Sequence, residues 1–381
     1  MSVWRLITDD GAGPDDGLAA DEALMLHYGR DEQASTEAVM RLYTYRPHCA
    51  LVGRYQVLDA EVDRAACKRL GIGIGRRPTG GGAIIMGAGQ LGVAVTTRAP
   101  AGVSPRELLG GYAEGIVAGL AGVGVTAAFR GKNDLEVNGR KVGGLGLYVD
   151  PRGALLFHAS VLADLDVELM LAVLRIPGAK LADKGVARVH ERITTVSAET
   201  GRAIDGPALR AAIAGGFSER LGVELHASRL DAAERARAAA LQHERYGAEA
   251  WIAGRAPAGD AHGTAVVKTG FGLIRAYAGV QGRSLSSVML TGDFSVMPPA
   301  LTRLEAALRW CHADPERIRR IVARELSSGD VEIEPEILAA AIWSAAERAL
   351  ERSAGAAPVR ASGSCYFPAL VPADDASEVR Q

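Results

Sequence analysis

Asn138-Gly139 sits between Asp134-Leu135-Glu136-Val137 and Arg140-Lys141-Val142-Gly143-Gly144, and few dipeptides constrain a fold so strongly. Asparagine followed by glycine supplies the two positive-φ positions of a type I′ turn, whose twist suits two antiparallel strands. The spacing predicts Val137 opposite Arg140, Glu136 opposite Lys141 and Asp134 opposite Gly143. A period of two then puts Asp134, Glu136 and Lys141 on one face, with Leu135, Val137 and Val142 on the other. One reading of the charged face is a surface ion pair between Glu136 and Lys141, worth about 0.2–1 kcal/mol. Gly143 and Gly144 suggest more, because glycines inside a strand cost stability and often mark close approach by a ligand or another backbone.

About sixty residues earlier lies Arg76-Arg77-Pro78-Thr79-Gly80-Gly81-Gly82-Ala83-Ile84-Ile85. No Gly-Lys-Ser/Thr follows at the spacing of a Walker loop, and it is not a G-x-G-x-x-G before a helix. Taken alone it is a turn between strands, or a loop offering backbone N–H groups and two guanidinium forks to a carboxylate or phosphate. Paired with a hairpin carrying Lys141, it suggests chemistry on an activated carboxylate.

The rest of the chain alternates short strands and helices. Asp15-Asp16 is read as a helix start, with Leu18, Glu22 and Met25 on one face. Met40, Leu42 and Thr44 alternate as a strand, Cys49 to Gly53 makes a second, and Asp59 to Leu70 reads as a helix stopped by Gly71. Leu91 to Thr97 is β-like. Ser104-Pro105-Arg106-Glu107 is a capping box opening a helix to about Ala121. A helix is expected from Pro207 to Leu221, and an exposed helical connection from Asp231 to Arg245. Beyond it, Val266-Val267, Leu273 to Tyr277, and helical stretches Leu301 to Arg309 and Ile337 to Leu350 read as a small second domain. The expected division is a first domain over 1–225, a helical linker over 226–262, an accessory domain over 263–352 and a loosely ordered tail over 353–381.

With 43 basic against 45 acidic residues in 381, no overall field would hold nucleic acid or an acidic membrane surface. No apolar run approaches the roughly 20 residues of a membrane span, and the amino terminus lacks a signal pattern. Cys49, Cys67, Cys311 and Cys365 are too dispersed for a C-x-x-C metal or redox site. A cytoplasmic location with free thiols is the expectation.

In this order the two motifs resemble the lipoate-protein ligase A family, within the wider biotin and lipoate ligase group. Arg76 to Ala83 follows the family's R-R-x-S-G-G-G-A, and Asn133 to Gly144 follows N-D-x-x-V-x-G-R-K-x-x-G. Tyr45-Arg46-Pro47 with Val52-Gly53-Arg54-Tyr55-Gln56 resembles W-R-P and I-G-R-x-Q. Arg152 to His158 resembles R-G-x-x-x-H-H, and Leu181-Ala182-Asp183-Lys184-Gly185 with Arg188 and Arg192 resembles the L-x-x-K-G region. The similarity runs from about Leu18 to Leu225, and more loosely over Phe271 to Arg309.

The resemblance implies an α+β fold, a mixed sheet with flanking helices like that of class II aminoacyl-tRNA synthetases and biotin ligases, plus a small α+β accessory domain. It also implies a two-step reaction. Lipoate or octanoate is joined to AMP from ATP, and the acyl group passes to a lysine of a lipoyl-domain acceptor protein. By motif position the catalytic ammonium is Lys141. Arg76, Arg77, Thr79, Gly80, Gly81, Gly82, Ala83, Ile84, Ile85, Asn133, Asp134, Gly143, Gly144 and His158 would surround the acyl adenylate, and Asp134 would meet Mg²⁺. On its own chemistry His158 reads more readily as a satisfied core histidine than as a catalyst.

The chain departs from the family in two places. Ile85-Met86-Gly87 replaces an aromatic residue, His and Asp after the glycine loop, and Gly143-Gly144-Leu145-Gly146 replaces S-G-S-A, so the acyl pocket should differ in shape. The competing reading is a lipoyl or octanoyl transferase working without ATP through a cysteine thioester, for which no cysteine lies between Cys67 and Cys311. A non-catalytic acyl-binding or docking module is the other alternative. A biotin ligase is disfavoured because Arg76-Arg77-Pro78-Thr79 replaces its R-G-R motif.

Overall fold

A computed structural model describes residues 2–28, 38–131, 133–176, 189–258, 262–270, 272–294, 297–327 and 333–355. Lys132, Leu181 to Arg188 and the tail beyond 355 therefore lie outside the described residues. The chain divides into two units. The first comprises Met1–Ala256 with Thr291–Met297, and the second Pro257–Leu290 with the residues from Pro298 onward.

The first unit is built on strands β1 (Ser2–Ala12), β2 (Val39–Tyr45), β3 (Cys49–Val52), β4 (Gly73–Arg76), β5 (Ile84–Met86), β6 (Gln90–Arg98), β7 (Ala128–Arg130), β8 (Asp134–Val137), β9 (Arg140–Val149), β10 (Ala154–Leu162) and β11 (Val223–Ser228). Eight form one mixed sheet in the order β11-β1-β2-β6-β10-β9-β8-β7. β1 runs parallel to β11 and β2, while β2, β6, β10, β9, β8 and β7 pair antiparallel in turn. β4, β3 and β5 make a separate small sheet.

Alternation along β2 explains the two-sided core. Met40 and Leu42 face helices Pro105–Gly122 and Gly206–Leu221, packing with Ile116, Leu120, Ile213 and Phe217. Val39, Tyr43 and Tyr45 face helix Pro14–Met25 on the other side, with Leu18, Leu24 and Tyr246. The two outer helices touch backbone to backbone: a Cβ on Gly216 would lie 2.3 Å from the Gly115 carbonyl oxygen.

Several local expectations hold. Ser104 and Glu107 form the capping box, and Asn138 and Gly139 both have positive φ, at 50° and 77°. Others need correction. Asp15 and Asp16 lie inside the first helical turn after an uncapped Gly13, where they favour the positive end of the helix dipole. The helix expected from Asp59 to Leu70 is two, Leu58–Glu61 and Arg64–Leu70, because the Asp63 side chain accepts from the Ala66 amide and starts a new one. The segment from Asp231 to Arg245 is helical and largely exposed as expected, but together with the residues from 226 to 256 it groups with the first unit rather than standing between two. Residues 226–228 complete the parallel edge strand β11, and helix Ala232–Leu241 leads into Tyr246, which is buried.

The second unit has a three-stranded sheet, β12 (His262–Thr269), β13 (Gly272–Gln281) and β14 (Ser284–Gly292), whose last two residues group with the first unit. Helices Pro299–Leu308, Pro315–Glu325 and Pro335–Gly355 complete it. The middle helix is absent from the sequence reading because it buries only Ile318 and Val322. Its start is written in Asp314-Pro315, with the Asp314 side chain accepting from the Arg317 amide at 2.8 Å.

Candidate active site

In the hairpin, Glu136 faces Lys141 and Val137 faces Arg140 as expected, but a one-residue shift follows, so that Leu135 faces Gly143 and Asp134 faces Gly144. The expected pairing of Asp134 with Gly143 is thus corrected by a β-bulge. The bulge breaks the period of two, and Lys141 now shares a face with Gly144 and Gly146. Outside contacts hold this geometry: the Lys141 amide donates to the Arg192 carbonyl, and the Thr194 amide donates to that of Lys141, each at 2.8 Å. The Lys141 ammonium lies 2.6 Å from Asp134 Oδ1. A Cβ on Gly144 would sit 3.1 Å from Nζ, so glycine leaves the ammonium its place.

The glycine loop leaves β4 and folds back on β3. The Arg54 amide donates to the Thr79 carbonyl at 3.0 Å. Only glycine fits at position 53, where a Cβ would lie 2.0 Å from the Gly81 carbonyl oxygen. Arg77 donates to the carbonyls of Leu51, Gly80 and Gly82, closing the loop around its guanidinium. Arg76 donates to six carbonyls, those of Gly53, Arg54, Gln56, Trp251, Ile252 and Ala253. Burial lowers both guanidinium groups to about 10, which leaves them charged at neutral pH. Their donors go to backbone oxygens, an arrangement that organises the loop.

Between the loop and the hairpin is a cavity of about 260 Å³. Arg77, Thr79, Gly80, Gly81, Gly82, Ala83, Ile84, Ile85, Asn133, Lys141, Gly144 and His158 line it. Arg76, Asp134 and Gly143 do not: Arg76 is bonded away from it, Asp134 reaches it through Lys141, and Gly143 packs against Leu135 and the Ser160 carbonyl on the opposite face. Apolar walls absent from the sequence reading come from Tyr43, Leu162, Leu165, Met170, Leu174 and Ile193. Helix Val167–Val173 offers no distinctive motif that would have placed Met170 there.

His158 sits on the cavity wall with Nε2 2.9 Å from Asp21 Oδ2. Asp21 is fully buried and also accepts from Arg41 at 2.8 Å, and Arg41 in turn reaches Asp9 at 2.7 Å. Burial alone would raise the Asp21 carboxyl, but Arg41 and His158 together hold it below the usual carboxylate range. With Asp21 ionised, His158 Nε2 donates, which fixes its ring. Sequence reasoning missed Asp21, although its place three residues after Leu18 on an alanine-rich helix marks it as inward-facing.

None of the described cysteines lines the cavity. Cys49 and Cys67 are buried in the small-sheet region, where burial pushes both thiols up, and Cys311 belongs to the second unit. Cys365 lies outside the described residues. Among the described residues, no cluster of three His, Cys, Asp or Glu side chains could hold a metal ion. No helix there is long and apolar enough to cross a membrane.

A mixed sheet carrying a glycine loop and a lysine hairpin around one small, largely apolar cavity defines an enzyme class, that of lipoyl and octanoyl attachment. Residues 14–218 match the lipoyl protein ligase A/B catalytic domain, and the chain belongs to that family. The octanoyltransferase LipM of Symbiobacterium thermophilum is 32% identical over 276 residues, which cover 65% of this chain and 97% of that protein. Among solved structures, one chain of the bi-partite lipoate protein ligase of Thermoplasma acidophilum matches with a TM-score of 0.61 and 27% identity, over 68% of this chain and 100% of that one. Lipoate-protein ligase A bound with ATP matches with a TM-score of 0.58 and 25% identity, over 67% and 99%.

Proposed function

We propose that this chain is an ATP-dependent ligase that joins octanoate or lipoate to a lysine of a lipoyl-domain acceptor protein. The observation that carries this reading is the Lys141 ammonium, fixed by Asp134 on the wall of a cavity that no described cysteine enters. In the first step a carboxylate oxygen of the acid attacks the α-phosphorus of ATP, and pyrophosphate leaves. In the second the acceptor amine attacks the acyl carbon, AMP leaves, and the nitrogen gives up a proton. Both steps gather negative charge beside the same oxygens. An ammonium already held in place strengthens its interaction as that charge grows, without reorganising. The apolar walls take the acyl chain, with Ile84, Leu162 and Met170 contributing.

The residues suit a metal ion only in a limited way. Asp134 is a lone carboxylate with one oxygen on Lys141, so magnesium would arrive on phosphate oxygens and neutralise their charge. The region from 257 to 290 and from 298 onward is assigned the accessory role.

The second reading is an octanoyltransferase that takes its acyl group from an activated donor without ATP. The relatives favour it over the ligase, since LipM is among the most similar. The cavity favours the ligase, because among the described residues it holds no thiol for the cysteine-thioester route. Intact mass of a lipoyl domain separates the two. Acylation from free octanoate or lipoate that requires ATP and magnesium, and is lost in Lys141→Ala, is the expected result. Acylation from an acyl thioester without ATP, abolished in a cysteine-free variant, would replace the ligase reading with the transferase.

A further inference from the structure

Basic side chains around the glycine loop fall into two groups. Arg76 and Arg77 are bonded to carbonyls, and Lys141 is paired with Asp134. Arg54 differs. Among the described residues its half-buried guanidinium has no carboxylate and no hydrogen-bond acceptor. It is held by aromatic faces, its carbon 5.2 Å from the Tyr148 ring centre, 5.9 Å from that of Trp251 and 6.0 Å from that of Tyr55.

This seat is built by the loop itself. Arg76 clamps the Gly53–Gln56 turn to the carbonyls of residues 251–253, and the Trp251 indole returns a bond to the Arg76 carbonyl at 3.0 Å. Tyr148 follows Gly144 and Gly146 along the same face of β9, and Gly146 lies against Thr79. Arg54 is therefore at the Thr79 end of the site, next to the loop. There the N–H groups of Gly80 and Gly82 make no hydrogen bond among the described residues, and nothing lies within 4 Å of the place a Gly82 Cβ would occupy.

A planar cation held by ring faces keeps its N–H edge available, and that edge matches two oxygens of one phosphate. Free loop amides beside it extend the same preference for anions. The cavity, at about 260 Å³, is below the ~300–1,000 Å³ of common ligand pockets. An acyl chain would take up much of that space, and the uncommitted donors for a nucleotide lie at the Thr79 end.

We propose that Arg54, with the Gly80 and Gly82 amides, is the subsite for the terminal phosphates of a nucleoside triphosphate, leaving Lys141 to the acyl carboxylate. This rests on the ATP-dependent reading above. The test is calorimetric titration of wild type, Arg54→Gln and Arg54→Lys with ATP, pyrophosphate and AMP. The expected result is a loss of about tenfold or more in affinity for ATP and pyrophosphate in Arg54→Gln. AMP affinity should stay within about twofold, which also reports an intact fold, and Arg54→Lys should recover part of the loss. Unchanged ATP and pyrophosphate affinity in Arg54→Gln overturns the proposal, as does an equal loss for AMP. So does a variant whose only defect is a raised KM for the acceptor protein. If wild type binds neither ATP nor pyrophosphate yet acylates from a thioester donor, the ATP-dependent reading falls and takes this subsite with it. A wild type that binds ATP beside an unaffected Arg54→Gln overturns the subsite alone.

Discussion

Lys141 and Arg77 both border the cavity, yet they differ in how far their charges are already taken up. Arg77 has carbonyls on three sides, whereas among the described residues the Lys141 ammonium has a single carboxylate partner and is about one-third exposed. Replacing Lys141 by Ala should lower single-turnover acylation by about 10²–10³-fold with little change in melting temperature, the size of effect seen when one preorganised donor is removed from a developing oxyanion. Asp21 shows the opposite balance, a large structural effect with no direct role. Asp21→Asn would strand the buried Arg41, and unfolding titrations should find a loss of about 3–5 kcal/mol at neutral pH. Because the folded Asp21 carboxyl titrates below its unfolded value, its contribution is complete above about pH 4 and is lost as pH falls through the folded value. The gap between wild type and Asp21→Asn should therefore close only on that acid side. Residue roles were legible in the sequence where partners are near. The turn alone put Asp134 on the face of Lys141 while pairing Lys141 with Glu136, and the Asp134 contact came only with the bulge; the acceptors that claim Arg76 lie about 175 positions away, and no local pattern announces them.

Among the elements, the hairpin shows where local reasoning ends. Its turn follows from two residues with positive φ. Its bulge depends on Arg192–Thr194 docking beside Lys141, a tertiary event invisible in the hairpin's own sequence. That extra residue brings Lys141 round to the glycine face. Gly144→Ala would place a methyl group against the ammonium, whose flexible stem can yield, so folding should survive while the charge shifts. A loss of about ten- to a hundredfold in acylation with an unaltered thermal midpoint is expected. The outer helix pair has no such freedom, since a methyl on Gly216 would meet the backbone of Gly115 and Gly119. Gly216→Ala should destabilise by about 1–3 kcal/mol, read from denaturant midpoints. The helices themselves were legible from caps and periodicity. Their intimate contact was not, because glycine in a helix reads as a weakness until its partner is known.

At the scale of the whole molecule, the first unit is discontinuous in the chain. The polypeptide leaves it after Ala256 and returns for Thr291–Met297. There the Phe294 carbonyl accepts from the Gly81 amide at 2.9 Å, and the buried Phe294 ring lies 6.5 Å from that of Tyr55. A protein ending at Ala256 should keep its helical signal and lose ligand affinity, measured by calorimetry with octanoate and with ATP. Phe294→Ala in the full chain should weaken the same binding and cost about 3–5 kcal/mol in stability. Retained affinity in the shortened protein would show that the returning segment is dispensable. Composition cannot expose such a return, because Thr291–Met297 carries no motif of its own.

The hydrogen bond from Gly81 to Phe294 also bears on how the protein is made. Translation proceeds from the amino end at about 5–20 residues per second, so the glycine loop leaves the ribosome more than two hundred residues before the carbonyl that steadies it. For that interval Gly81 lacks its acceptor, and the nascent chain carries the motif before it has the finished cradle. Acylating competence should then appear late in synthesis, only once the chain has passed Met297.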